Sequence, residues 1–185
     1  MLRAMFLFAW LAGSAAAGTG CKELWFTRNL IMDRAGHCFS TPLGQALFDN
    51  ADCTGVQPRL ASPEAALVAR IRQIEARHGC RVDTSRRWLD LPDIAFRRVL
   101  QDLPIPDELG WGCLGWTGPV TPLYSGHRGP FHAIGQVTAG DYVSFSHLPV
   151  GDWAYVQVHA PVWGPFKSAG WLYWPGPVPC AAEAG

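Results

Sequence analysis

After its first 17 residues the chain has no apolar run approaching the ~20 residues that a membrane-spanning helix needs, so nothing later in it predicts a transmembrane segment. It has no net charge either: 15 Lys and Arg balance 15 Asp and Glu, which removes the basic footprint of a nucleic-acid binder. No C-x-x-C pair occurs, and no cysteine and histidine stand at zinc-finger spacing, so the expectation is no metal and no cofactor. Charge is scarcest past residue 109, where Arg128, Asp141, Asp152, Lys167 and Glu183 are the only charged residues. A surface this poor in charge gains little from electrostatic steering.

What is present begins with an export signal. Met1-Leu2-Arg3 supplies a basic start, Ala4 to Ala12 an apolar stretch, and Ala15-Ala16-Ala17 a small-residue cleavage site, so residues 1–17 read as a secretory signal peptide. Cys21 follows Gly18-Thr19-Gly20 without the leucine that a lipoprotein signal carries three places upstream, and lipidation is not expected. Six cysteines, at 21, 38, 53, 80, 113 and 180, lie behind the signal. An even number in an exported chain predicts three disulfides in an oxidising compartment, the periplasm or the extracellular space.

Composition divides the remainder in two. Six of nine Trp, all four Tyr and 13 of 20 Gly lie in residues 110–185, and Leu103-Pro104-Ile105-Pro106-Asp107-Glu108-Leu109-Gly110 reads as a proline-rich connector. The expected class is α+β: a small disulfide-linked helical module at 18–103, a linker at 104–112, a β-rich module at 113–180 and a tail at 181–185. In the first module a helix is expected from about Lys22 to Ala35, with Leu24, Trp25, Ile31 and Met32 inward. Thr41-Pro42 opens a short helix to about Asp49. Ser62-Pro63-Glu64 opens a longer one reaching His78, and two short helices are expected near Ser85–Leu89 and Pro92–Leu103. If the first three run up, down and up, Cys21 pairs with Cys53 and Cys38 with Cys80.

The stretch Arg28 to Phe39 returns in diluted form as Ile71 to Val82, with Ile31 matching Ile74, Arg34 matching Arg77 and Gly36 matching Gly79. This predicts two repeats, at about 22–53 and 66–103, each a helix with a basic last turn and a glycine stop. Glu75-Ala76-Arg77-His78-Gly79 resembles the motif that names the YARHG domain, with Glu75 where that family has Tyr. The resemblance implies an extracellular bacterial module and brings no catalytic residue with it. Arg28, Arg34, Gly36, Arg77 and Gly79 are therefore read as structural. Arg28, one turn from both Leu24 and Ile31, requires an acid, expected from Asp49 or Asp52.

The second module carries short β-branched and aromatic runs cut by Gly and Pro. Strands are expected at Val120–Tyr124, Ala133–Val137, Asp141–Leu148, Trp153–His159 and Gly170–Trp174. The order of Gly126-His127-Arg128-Gly129-Pro130, Gly140-Asp141, Trp153-Ala154-Tyr155-Val156 and Gly170-Trp171-Leu172 resembles the bacterial SH3-like domain, which implies a C-terminal SH3-like β-barrel. Its two chain ends lie close in that fold, which implies a Cys113–Cys180 bridge. A YARHG-like part followed by such an ending resembles a family of secreted alphaproteobacterial proteins.

The chemistry-bearing residues point away from catalysis. His37 and His78 neighbour Cys38 and Cys80, but an oxidised cysteine is no nucleophile. His127, His132, His147 and His159 fall on separate loops and strands, and Asp141 and Asp152 occupy turn positions. The arginines at 70, 72, 77, 81, 86 and 87 read as a solvated face. Pro161-Val162-Trp163-Gly164-Pro165-Phe166-Lys167 is the candidate binding loop, since Pro and Gly exclude a strand interior there and hold Trp163 and Phe166 near the surface. Tyr155 and Tyr124 complete the candidate ligand-binding set. The expectation is a secreted or periplasmic, non-enzymatic protein binding a cell-wall peptide or glycan or a protein partner. The alternatives are a cell-wall hydrolase, or an inhibitor or assembly factor.

Overall fold

α1 (Thr19–Arg34) is the helix on which the other elements are laid. From Glu23 to Ile31 every residue except Arg28 is buried, because three surfaces pack on it. Leu24 and Ile31 meet Val68 and Ile71 of α3 (Ser62–Arg77). Trp25, Phe26 and Leu30 meet Phe39, Phe48, Leu91 and Leu43, the last from α2 (Pro42–Leu47). The side carrying Glu23 meets the sheet, at His147. The computed structural model describes residues 19–161 and 164–185; the signal peptide read at 1–17 and Trp163 lie outside the described residues.

Local chemistry accounts for the helix ends. The Thr41 hydroxyl accepts a hydrogen bond from Gly44 N at 3.2 Å ahead of Pro42, an N-cap followed by a first-turn proline. α1 stops where Gly36 takes φ 86° and His37 N donates back to Met32 O. A Cβ on Gly36 would stand 2.5 Å from Thr54 Oγ1, so both conformation and space exclude a side chain. α4 (Ile94–Val99) is the last helix. Residues 85–89, read as helical, are not, because the Asp83 carboxylate accepts from Ser85 N and Arg86 Nε and folds that segment into a turn.

α1 and α3 are antiparallel, which overturns the up-down-up arrangement. Cys21, at the start of α1, is bonded to Cys80, just past the end of α3, and Cys38 to Cys53. The expected pairs Cys21–Cys53 and Cys38–Cys80 are not formed. α2 has six residues, too short to carry the chain back along α1, so Cys53 returns to the same end as Cys38. The expected duplication finds no support in the fold. Both long helices stop at a glycine of positive φ, but beyond Gly36 the chain closes a local loop through Cys38–Cys53 and the bridge between His37 and Gly55. Beyond Gly79 it ties back to α1.

The second half forms β1 (Pro106–Trp116), β2 (Thr121–Tyr124), β3 (Ala133–Val137), β4 (Tyr142–His147), β5 (Trp153–His159), β6 (Phe166–Tyr173) and β7 (Cys180–Ala184). Every pairing is antiparallel, in the order β3-β2-β6-β5-β4-β1-β7. The residues read as a linker at 104–112 are mostly β1, and the tail at 181–185 lies largely in β7. The sheet is open, where a barrel was expected. The outer side of β1 is taken by β7, held there by the Cys113–Cys180 bridge, leaving β3 and β7 as edges. Curling is nonetheless strong, since Cys113 and Trp116 of β1 share one core with Leu123 of β2 and Val137 of β3.

Alternation along β5 assigns its two faces. Val156 and Val158 enter that inner core. Tyr155 enters a second core with Ala169 and Trp171 of β6 and Leu100 beyond α4. The sheet's other face is thereby docked on the helical half, and what reads in sequence as two modules on a linker is joined by a buried interface.

Candidate functional site

Three groupings of side chains stand out, and the first lies in the interface. Arg97 of α4, fully buried, places Nε 2.8 Å from Asp93 Oδ1 and Nη2 3.0 Å from Glu23 Oε2. His147 Nε2, from β4, lies 2.7 Å from the same Glu23 oxygen. Asp93 Oδ2 accepts from the Tyr155 hydroxyl at 2.9 Å and from Gln157 Nε2 at 2.8 Å. A separation of 2.7 Å between an imidazole nitrogen and a carboxylate oxygen requires a proton between them, so His147 carries its proton on Nε2 and donates it to Glu23. Nε2 therefore cannot accept from Arg97, although the two lie 3.0 Å apart; both are donors converging on one oxygen.

The electrostatics follow from this geometry. Burial alone would raise the Glu23 and Asp93 carboxyls, but Arg97 and the surrounding hydrogen bonds outweigh it and hold both below their usual range. Burial pushes the Tyr155 hydroxyl well above its ordinary value. Arg97 also stacks over the Tyr155 ring, 5.2 Å from its centroid. No member of this group is more than 8 % exposed. It joins the two halves and offers no surface to a substrate.

The second grouping ties a loop to the end of the helical half. Asp102 accepts from the backbone N–H of His127 (2.9 Å) and Arg128 (3.1 Å) and from the Arg128 guanidinium (Nη2, 2.6 Å). The Trp171 indole donates to Asp102 O at 2.8 Å. A Cβ on Gly126 would stand 2.7 Å from the Asp102 carboxylate, so glycine is required for the approach. Burial works to raise the Asp102 pKa; Arg128 and the two N–H groups outweigh it and lower it.

That loop leads to the third grouping, a contiguous set of rings. Phe131 lies 4.9 Å from Tyr124 and 5.2 Å from Trp153, and Trp153 lies 5.0 Å from Tyr173 and 5.8 Å from Tyr124, centroid to centroid. Phe131 is 37 % and Tyr173 46 % exposed, while Tyr124 and Trp153 are half-buried. Edge-to-face and tilted contacts of this kind stabilise the cluster while leaving ring surface open to a ligand.

The residues singled out in the sequence are distributed among these features. Tyr124 is in the aromatic cluster. Tyr155 is wholly buried in the interface, so the surface position expected for it is corrected: β5 points it at α4, where Asp93 takes its hydroxyl. Phe166 is half-buried on β6 between Phe96 and His159. Arg28 does pair with an acid, but with Glu75 of α3 at 2.9 Å rather than Asp49 or Asp52, because the antiparallel α3 brings Glu75 alongside. Arg34 donates to the carbonyls of Arg98 and Leu100, and Arg77 is exposed. Phe131, Trp153 and Tyr173 were missed; the alternation along β5 that sends Trp153 and Tyr155 to one face was the available signal. Among the described residues no three His, Cys, Asp or Glu side chains are arranged to hold a metal ion.

Comparison with known families divides the chain near the end of α3. The YARHG domain model matches residues 9–76, once. The model described as a domain of unknown function, DUF4453, matches residues 79–185, so its match includes α4 and the whole sheet. The boundary thus falls at the helix end, not at the proline-rich stretch 103–110. No curated protein and no solved structure matches the chain. Since the larger match covers more than half of its residues, this protein, with a YARHG domain at its N-terminal end, belongs to the DUF4453 family.

Proposed function

We propose that this is an exported, non-enzymatic binding protein that recognises cell-wall glycan or peptide through the aromatic face made by Tyr124, Phe131, Trp153 and Tyr173. The carrying observation is that four rings joined through Trp153 include two that are more than a third exposed. Ring faces bind sugar C–H surfaces and apolar side chains at little conformational cost, and aromatic clusters are frequent recognition anchors. Three disulfides support a location in an oxidising compartment, and among the described residues no helix is long and apolar enough to cross a membrane. The role that the SH3-like resemblance implies for its barrel is assigned here to the open sheet.

The sedimentation of the oxidised protein with purified cell-wall sacculi tests this reading. Tyr173→Ala and Phe131→Ala, each melting close to the wild type, should leave the protein in the supernatant; retention of full binding by both would end the proposal. A hydrolytic role gains nothing from the Glu23, Asp93 and His147 cluster, which no substrate reaches in this conformation. Soluble fragments released from sacculi by the wild type would restore that role.

A further inference from the structure

A cleft of ≈ 270 Å³ opens between α1 and the end of α3, lined by Trp25, Arg28, Glu75, Gly79, Arg81 and Val82 among others. Its size suits a ligand of one or two residues rather than a polymer. Its chemistry is uneven. The Arg28 guanidinium grips Glu75 with Nε and Nη2, at 2.9 and 3.2 Å, which neutralises that pair and leaves Nη1 without a partner among the described residues. The Arg81 guanidinium makes no hydrogen bond or ion pair with any described residue, so the lining holds one uncompensated positive charge. Trp25, Val82, Ala76 and Cys80, the last bridged to Cys21, supply the apolar surface. Gly79, at φ 57°, lines the cleft where nothing lies within 4 Å of the position a Cβ would take.

We propose that this cleft is a binding site for a free carboxylate carried on a small apolar body, the C-terminal end of a short peptide. Arg81 and the free edge of Arg28 take the carboxylate, a planar anion to which a guanidinium presents parallel N–H groups. Trp25 and Val82 receive the preceding side chain. A phosphate would find the same charge but no use for the apolar wall. The site lies apart from the aromatic face and does not depend on it.

Calorimetric titration of the oxidised protein with N-acetyl-alanyl-alanine, its C-terminal amide, acetate and inorganic phosphate tests the assignment. The free acid should bind saturably, more weakly as salt rises, and at least tenfold tighter than the amide, acetate or phosphate. Arg81→Ala, at an exposed position, should lower its affinity about tenfold, the loss of one charge-assisted contact, with an unchanged melting temperature; Tyr173→Ala should bind the peptide as the wild type does. Equal binding of acid and amide, phosphate binding as tight as the peptide's, or full affinity in both Arg81→Ala and Arg81→Glu would overturn it. Sacculus binding lost in Tyr173→Ala while the peptide still binds would separate this site from the aromatic one.

Discussion

His147 Nε2 donates to Glu23 Oε2 at 2.7 Å across 124 positions of the chain, joining β4 to the first turns of α1. Arg97 reaches the same oxygen from α4 at 3.0 Å. The two matched regions are thus bound by one buried carboxylate, and neither half has its observed surface without the other.

Removing the cation at this joint leaves two buried carboxylates facing each other. Arg97→Met should therefore destabilise the protein by about 3–5 kcal/mol, the cost of breaking a buried pair from one side. Glu23→Gln, which keeps an acceptor for His147, should cost less. Thermal unfolding of the oxidised proteins measures both.

Acid should unfold the protein through the same carboxylates. Glu23 and Asp93 are held below their ordinary values of 4.5 and 3.8, and Asp102 below 3.8. A depressed carboxylate contributes stability that is complete above its unfolded-state pKa and is lost as pH falls through the folded one. Stability should be flat with respect to these groups above about pH 5.5 and should decline below about 4.5. Urea midpoints across that range provide the check, and Asp93→Asn should flatten the acid limb.

Non-reducing peptide mapping should recover Cys21–Cys80, Cys38–Cys53 and Cys113–Cys180 as the three linked pairs. The first closes a loop of sequence separation 59 and the second of 15. Chain-entropy arguments give about 4 and about 3 kcal/mol respectively, so a Cys21→Ser, Cys80→Ser double variant should melt lower than the Cys38, Cys53 counterpart.

Asp102 anchors the loop that carries Phe131. Asp102→Asn keeps some hydrogen bonds but gives up the charge that holds Arg128, so hydrogen exchange at residues 126–131 should accelerate while the β5 and β6 amides remain protected. Sacculus binding through the aromatic face should weaken in proportion.

Much of this fold is local chemistry and was legible in the chain. Thr41-Pro42 starts α2, Gly36 and Gly79 stop α1 and α3, and the residues of β3 and β5 match their expected strands, because caps, positive φ and two-residue alternation depend on near neighbours. β1 and β7 were not legible: Pro106, Gly110, Gly112 and Gly115 are poor strand formers on their own, and pairing makes the strands, β1 with β4 and β7 with β1. The same holds for the disulfides. Six cysteines announced three bridges, but whether Cys21 meets Cys53 or Cys80 depends on the direction of α3, which local preferences do not set. Glu23, Asp93, Arg97 and His147 look like surface residues when read one at a time, since an isolated charge in the interior is costly. Asp93 and Arg97 pair locally, four residues apart at α4, but only the packing of α1, α4 and the sheet brings Glu23 and His147 to them, and that is a property of tertiary structure alone.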